Sequence, residues 1–158
     1  MSELYFESPL AHRNAPEGLS IDLREIKDRG MIDLRGIASD KKFMAAAKKV
    51  LGLDLPKTPR SSVSWGDVKA LWLSIDQWLI LCPRAKAAEL AAALTAELGV
   101  IHSLAVDVSD MRAVLRLEGE GVREVLLKGS SLDLLSGDYG PGAVRRMRYA
   151  EIAALLHV

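Results

Sequence analysis

Two carboxylates, Asp107 and Asp110, form the pair in this sequence whose spacing best suits acid–base chemistry. They stand in the segment Val106-Asp107-Val108-Ser109-Asp110, where a strand ending at Val108 would leave them on either side of a turn. Two carboxyl groups placed in this way could act as acid and base. Asp and Ser also build turns by accepting hydrogen bonds from nearby backbone amides. We interpret the segment as a structural turn.

Histidine and cysteine occur in this chain without the companions that nucleophilic or acid–base catalysis needs. The three histidines, His12, His102 and His157, stand in no recognisable motif, and we predict that each lies at the surface or in a loop. The single cysteine, Cys82, lacks Cys-X-X-Cys spacing, and we predict that it is a small buried apolar residue. One cysteine also rules out an intramolecular disulfide framework and a multi-cysteine zinc site. The sequence therefore predicts no catalytic, cofactor-binding or metal-binding residue in this chain.

The glycines of Gly119-Glu120-Gly121 follow a predicted strand and open a predicted helix, as the phosphate-binding loop of a dinucleotide-binding fold does. Glu124 stands where that loop has its third glycine, and no series of parallel strands and helices surrounds the segment. We interpret it as a turn followed by the start of a helix.

Tryptophan and arginine form the clearest clusters in the sequence. All three tryptophans, Trp65, Trp72 and Trp78, lie on neighbouring predicted strands. They serve either to pack the core or to anchor a partner, since tryptophan is frequent at the energetic centres of protein interfaces. The arginines of the segment 145–148 favour a salt-bridged interface or a soluble strand edge over phosphate binding, because the chain has no net charge. The candidate partner contacts are Tyr5, Phe6, Trp72, Trp78, Arg145, Arg146 and Arg148.

Alternating strands and helices would position these residues. The predicted strands are 32–35, 62–65, 70–73, 77–81, 104–108, 113–117, 143–149 and 152–158. The predicted helices run from the cap Asp40 to Gly52, from Pro83 as first helical residue to the stop at Gly99, and over 119–128. The alanine-rich second helix has small residues that allow close packing against strands. These patterns predict an α+β fold with mainly antiparallel sheets and three to four helices.

Composition fits one compact domain and argues against several classes of protein. The chain has 158 residues, of which 49% are hydrophobic and 27% charged, as in a folded globular domain. A net charge of zero argues against nucleic-acid binding. The longest apolar runs are too short to span a bilayer, and the first ten residues do not resemble a signal peptide. We expect a cytoplasmic protein with no nucleic-acid or membrane partner.

Two stretches of the chain resemble each other. Each has a strand, a glycine, a helix and a Leu-Asp-Leu segment, which is Leu53-Asp54-Leu55 in the first stretch and Leu132-Asp133-Leu134 in the second. We therefore divide the chain into an N-terminal arm, 1–20, and a single unit, 21–158, built of repeats at about 30–98 and 104–158. The second repeat stops short of the final strand and helix of the first, so we expect it to be incomplete.

Several motifs resemble the gamma subunit family of heterotetrameric sarcosine oxidase. The most specific is Leu71-Trp72-Leu73-Ser74-Ile75-Asp76-Gln77-Trp78-Leu79, which departs from the family pattern at Ser74, Ile75 and Gln77. Further similar segments are Ser8-Pro9-Leu10-Ala11-His12, Val106-Asp107-Val108-Ser109-Asp110, Lys128-Gly129-Ser130-Ser131-Leu132-Asp133-Leu134 and Tyr139-Gly140-Pro141-Gly142. Together the resemblance extends over most of the chain.

The resemblance implies a fold like the folate-binding domain of the glycine-cleavage aminomethyltransferase, the T-protein. It also implies a complex that oxidises sarcosine to glycine, passes the one-carbon unit to tetrahydrofolate and produces hydrogen peroxide. In that family FAD, FMN, NAD, tetrahydrofolate and zinc belong to other subunits, and the gamma chain is a non-catalytic partner of the alpha, beta and delta subunits. The alternative is a stand-alone folate-binding or aminomethyltransferase-like protein.

Overall fold

A computed structural model describes residues 7–8, 10–13, 18 and 20–158. The first half contains β1 (Asp22–Glu25), β2 (Arg29–Arg35), α1 (Lys41–Leu51), β3 (Ser62–Trp65), β4 (Val68–Ser74), β5 (Gln77–Pro83) and α2 (Arg84–Leu98). The second half contains β6 (Leu104–Asp107), β7 (Leu115–Glu118), α3 (Val122–Leu127), β8 (Val144–Tyr149) and β9 (Ile152–His157). All paired strands are antiparallel. The predicted α+β class with three to four helices is confirmed.

Strand β2 lies between β5 and β6 in a five-stranded sheet of order β3-β4-β5-β2-β6. It pairs with β5 from Arg29 opposite Pro83 to Arg35 opposite Gln77, and with β6 along its second half. Ile32 and Leu34 are fully buried in the larger core, whereas Met31 is buried in a smaller one. Because successive side chains of a strand point to opposite faces, β2 supplies both cores at once.

Helix α1 covers one face of this sheet, with the ends that the sequence predicts. The Asp40 carboxylate accepts hydrogen bonds from the backbone amides of Lys42 (2.8 Å) and Phe43 (3.4 Å), which would otherwise have no partner in the first turn. At the other end Gly52 has φ +73°, a left-handed conformation that favours glycine. The buried ring of Phe43 packs against Trp78, with 5.7 Å between ring centroids.

Helix α2 lies against the same face, as its alanines predict. A Cβ atom at Gly30 of β2 would come within 2.9 Å of the Ala87 Cβ, so small residues on both elements allow this close approach. Ala91, Leu94 and Leu98 are buried along the same side of the helix. Pro83 differs from its prediction as a first helical residue: it ends β5 with φ −58° and ψ 136°, and the helix begins at Arg84.

The hairpin of β8 and β9 packs on the opposite face of the sheet. Val144 of β8 is buried with Met31, Leu71 and Leu79 in the smaller core. The hairpin of β8 and β9 is joined to the first half by a β-bridge between Ser61 and Ala143. In contrast to α1 and α2, no residue of α3 is buried.

Two strands, β1 and β6, are exchanged between the halves of the chain. Strand β1, which precedes β2, pairs with β7, whereas β6, which precedes β7, pairs with β2. The sequence analysis did not predict β1, because four residues with one apolar side chain form no clear pattern. This reciprocal pairing supports the internal repeat and the single unit over 21–158, which both remain predictions.

The N-terminal arm lies only partly within the described residues, and Tyr5 and Phe6 lie outside them. The Ser8 hydroxyl donates a hydrogen bond to the Glu25 carboxylate on β1. Glu7 and Ser8 also line a cleft of about 160 Å³ beside the ends of β1 and α2. This part of the arm therefore contacts the chain's own body.

We predict that Trp78→Ala destabilises the protein far more than Trp65→Ala. Trp78 is fully buried and donates a hydrogen bond from Nε1 to the Pro56 carbonyl at 2.8 Å, whereas Trp65 is 70% exposed. The free energy of unfolding should fall by about 3–5 kcal/mol for Trp78→Ala and by less than about 0.5 kcal/mol for Trp65→Ala. Urea unfolding of both variants measures this difference, and equal losses would contradict the burial of Trp78.

Candidate functional site

A cavity rich in arginine lies where the two halves of the chain meet. Its volume is about 340 Å³, and it lies beside β4, β8 and the loop before β3. We call it the arginine cavity, and its lining residues are Arg60, Trp72, Leu73, Leu132, Val144, Arg145 and Arg146. Three of them, Trp72, Arg145 and Arg146, are candidate partner contacts from the sequence, and the tertiary structure brings them together.

Backbone hydrogen bonds fix one wall of the arginine cavity. The Arg60 carbonyl accepts from the Val144 amide at 2.8 Å, and the Ser61 carbonyl accepts from the Trp72 amide at 2.9 Å. Arg60 has φ +65°, an uncommon conformation for a residue with a side chain. The loop is thus tied to β4 and to β8 at adjacent residues, which holds its exposed arginine at the mouth of the cavity.

Neutral groups orient the other two arginines. Arg146 donates from Nη2 to Gln77 Oε1 at 2.8 Å, and Gln77 in turn donates from Nε2 to both oxygens of Asp33, at 2.8 and 3.0 Å. The Arg145 guanidinium lies 5.6 Å from the centroid of the buried Tyr139 ring, a distance typical of a cation–π contact. Neither arginine forms an ion pair with a carboxylate of the described residues.

Trp78 and Arg148 do not line the arginine cavity, whereas Trp72 does. Trp78 was predicted as a partner contact, and that prediction is wrong, because its ring is fully enclosed by the chain's own core. Trp72 is only half-buried and packs against the same core. Arg148 does not line the arginine cavity; it forms an ion pair with Glu151 at 3.2 Å near the exposed end of its hairpin.

The sequence analysis missed Arg60 and Gln77. Arg60 lies far from the cluster at 145–148 in the chain, and Gln77 was considered only within the tryptophan motif. The packing of β8 against the first half brings Arg60 to the cavity and Gln77 to the Arg146 side chain. Neither contact leaves a local pattern in the sequence. The unusual backbone of Arg60 is likewise invisible without coordinates.

The carboxylate pair is used in local structure, as predicted. Asp107 Oδ1 accepts from the Ser109 backbone amide at 2.9 Å and from the Ser109 hydroxyl, and the buried Ser109 hydroxyl accepts from the Met31 amide at 2.9 Å. Asp110 instead forms an ion pair with Arg84 at the start of α2. The two carboxylates therefore hold a turn and a helix end, and the interpretation as a structural turn is confirmed.

The Gly119-Glu120-Gly121 segment is a turn followed by a helix start, as predicted. Gly119 has φ +124°, and Gly121 immediately precedes α3. A Cβ atom at Gly119 would lie 3.1 Å from the Ser20 carbonyl oxygen, so the glycine allows the chain before β1 to pass close by.

His157 contradicts the prediction that all histidines lie at the surface or in loops. It is a half-buried residue of β9, and its Nε2 lies 3.0 Å from the Ser62 hydroxyl. Since that hydroxyl donates to the Gly142 carbonyl at 3.1 Å, His157 Nε2 is the donor to Ser62. Burial lowers the pKa of His157, and the positive charges of Lys69 and Arg29 lower it further, which favours the neutral ring.

Cys82 is fully buried, which confirms its prediction as a small apolar core residue. Burial raises the pKa of its thiol, and the Asp107 carboxylate raises it further. Among the described residues, no group of three or more His, Cys, Asp and Glu side chains could hold a metal ion. In the same part of the chain, no helix has the length and apolar character needed to cross a membrane.

The fold and the cavity define a class of protein: an α+β unit of two intertwined halves with a cluster of arginines at their seam. Residues 35–155 match the sarcosine oxidase gamma subunit family. The chain is 34% identical over 140 residues to the sarcosine oxidase subunit gamma of Corynebacterium sp. (strain P-1), covering 87% of this chain and 66% of that protein. The chain thus spans slightly less than two thirds of that relative's length.

A solved structure supports the same relationship. The heterotetrameric sarcosine oxidase from Corynebacterium sp. U-96, in complex with pyrrole 2-carboxylate, contains a chain that is 27% identical, with a TM-score of 0.83. The match covers 96% of this chain and 80% of that one. The chain belongs to the sarcosine oxidase gamma subunit family, as its tryptophan motif indicated.

We predict that His157 makes the stability of the protein fall as the pH is lowered through about 6.5, the usual pKa of histidine. In this range the unfolded chain protonates His157 while the folded chain keeps it neutral, so the unfolded state binds more protons and is favoured. The contribution of His157 is therefore fully present above that pKa and lost below it. Urea unfolding across this range should show a weaker pH dependence for His157→Gln than for wild type. The exposed His102 supplies the control variant His102→Gln, and an unchanged pH dependence in His157→Gln would contradict the prediction.

We also predict that Cys82 reacts with an aromatic disulfide reagent only when the protein opens. A buried thiol with a raised pKa offers little thiolate and no access to the reagent. Reaction in urea above the unfolding midpoint should be fast and in native buffer slower by about 100-fold or more, because access requires unfolding. Rapid reaction of the native protein at neutral pH would show that Cys82 is accessible.

Proposed function

We propose that this chain is a non-catalytic gamma subunit in a heterotetrameric sarcosine oxidase and that it contributes to the assembly of the complex. The observation that carries the proposal is the family match over 35–155, together with the resemblance to a chain of a heterotetrameric sarcosine oxidase. The proposed partners are the alpha, beta and delta subunits. The proposed location is the cytoplasm.

The reaction of the proposed complex is the oxidation of sarcosine to glycine, with the one-carbon unit passed to tetrahydrofolate and hydrogen peroxide formed. FAD, FMN, NAD, tetrahydrofolate and zinc would be held by the other subunits. The roles of this chain's reactive side chains support a non-catalytic subunit. Asp107 holds a turn, Asp110 holds Arg84, and Cys82 is buried in the core. Each of these three side chains has a structural role.

We predict that the tagged chain, purified from its native host, brings down flavin-containing subunits. The expected signature is a large complex with flavin absorbance in which this chain occurs in a fixed ratio to the others. Sarcosine-dependent hydrogen peroxide formation should elute with the same peak. A chain that elutes only as a flavin-free monomer from its native host would overturn the proposal.

A second measurement separates the proposal from a stand-alone folate-binding protein. The isolated chain is titrated with tetrahydrofolate at micromolar concentration while tryptophan fluorescence is followed. The exposed Trp65 and the half-buried Trp72 would report on a ligand bound near either ring. We expect no saturable quenching, and saturable quenching together with failure to assemble would favour the stand-alone function.

A further inference from the structure

We propose that the arginine cavity binds a carboxylate-bearing segment of another subunit. This inference rests on the proposed function, because it assigns a surface of this chain to the contact that holds the complex together. The expected occupant is an exposed Asp or Glu side chain on a protruding segment of the partner. Its carboxylate would lie among the guanidinium groups of Arg60, Arg145 and Arg146.

The charges of the arginine cavity are the first argument. Five arginines elsewhere hold carboxylates of this chain, and they are Arg24, Arg35, Arg84, Arg116 and Arg148. The three arginines of the cavity pair with no carboxylate of the described residues, and none of the described lining residues is acidic. Three like charges that share one cavity repel one another, so an anion supplied from outside would lower their electrostatic energy.

The balance of charge over the whole chain makes this local excess informative. Basic and acidic residues number 21 each, so the cavity is a positive region on a protein with no net charge. A surface for nucleic acid would need a wider excess of lysine and arginine. A guanidinium group matches a carboxylate with two parallel hydrogen bonds, which favours recognition of one acidic side chain at one place.

The shape of the arginine cavity favours a protein segment over a small molecule. Arg60 and Arg146 are exposed, whereas Leu73, Leu132 and the buried Val144 form an apolar lining. An apolar centre with a charged rim is the usual anatomy of a protein interface. A small-molecule site instead encloses most of its ligand's surface, which this open arrangement does not do.

The arginines are also held in place before any partner arrives. Gln77 orients Arg146, and the ring of Tyr139 lies beneath Arg145. Backbone hydrogen bonds tie the Arg60 loop to β8 and to β4. Side chains ordered in advance lose less entropy on binding, which makes their contacts more effective.

The test compares two double variants of the full chain in the reconstituted complex. Arg60→Glu with Arg146→Glu reverses two charges of the arginine cavity. Lys41→Glu with Lys42→Glu is the matched control, because it makes the same change of charge at exposed residues of α1 that do not line the cavity. The dissociation constant of each chain for the remaining subunits is measured at fixed ionic strength, and thermal melting shows whether each variant is folded.

We expect the cavity variant to bind roughly tenfold more weakly or worse, because its two new carboxylates would repel the partner's carboxylate. The control should bind within about threefold of wild type. Added salt should weaken the wild type more than the cavity variant, since screening acts on the charges that the variant has lost. Equal dissociation constants for the two double variants would overturn this inference and leave the proposed function intact. A wild-type chain that does not assemble would overturn both.

A milder variant separates loss of recognition from loss of folding. If the charge reversal lowers the melting temperature, Arg60→Gln with Arg146→Gln removes the two charges without placing new ones beside Asp33. This variant should still bind several-fold more weakly than wild type. Normal assembly combined with loss of tetrahydrofolate binding in the cavity variants would show a small-molecule site instead, and would overturn the proposal.

Discussion

Strand β2 is the constraint on which the rest of the structure depends. It is the one strand of the five-stranded sheet that pairs both with a strand of the first half and with β6 of the second. Its alternating residues supply both cores, with Ile32 and Leu34 beneath the two helices and Met31 beneath the hairpin of β8 and β9. A one-residue slip of β2 against its neighbours would move each of its buried side chains to the opposite face of the sheet. Both halves therefore depend on the position of this one strand.

The exchange of β1 and β6 between the halves ties them together. Since β1 pairs with β7 and β6 pairs with β2, neither half completes its own sheet without the other. The Ser61–Ala143 bridge joins the residue before β3 to the residue before β8 at the same seam. The arginine cavity is a consequence of this seam, because Arg60 comes from the loop before β3 and Arg145 and Arg146 come from β8. A site of this kind forms only when the halves are joined.

Much of the fold could be predicted because its signals are local. The Asp40 cap and the Gly52 stop each depend on a few neighbouring residues. The sequence pattern did not predict the secondary structure where pairing with a distant strand decides it. β1 is a strand because β7 offers it an edge, and Pro83 extends β5 because β2 pairs with it. Trp78 shows the same limit for the site, since a tryptophan of an interface and a tryptophan of a core have the same sequence pattern.

The sequence by itself determined the class of fold, the family through its tryptophan motif, and the absence of a recognisable catalytic motif. These follow from residue types and short spacings. The tertiary structure decided which tryptophan is buried, that the pKa of His157 is lowered, and that Arg60 joins Arg145 and Arg146 while Arg148 does not. Burial and charge are properties of neighbours that are distant in the chain, so they exist only after the two halves have packed together.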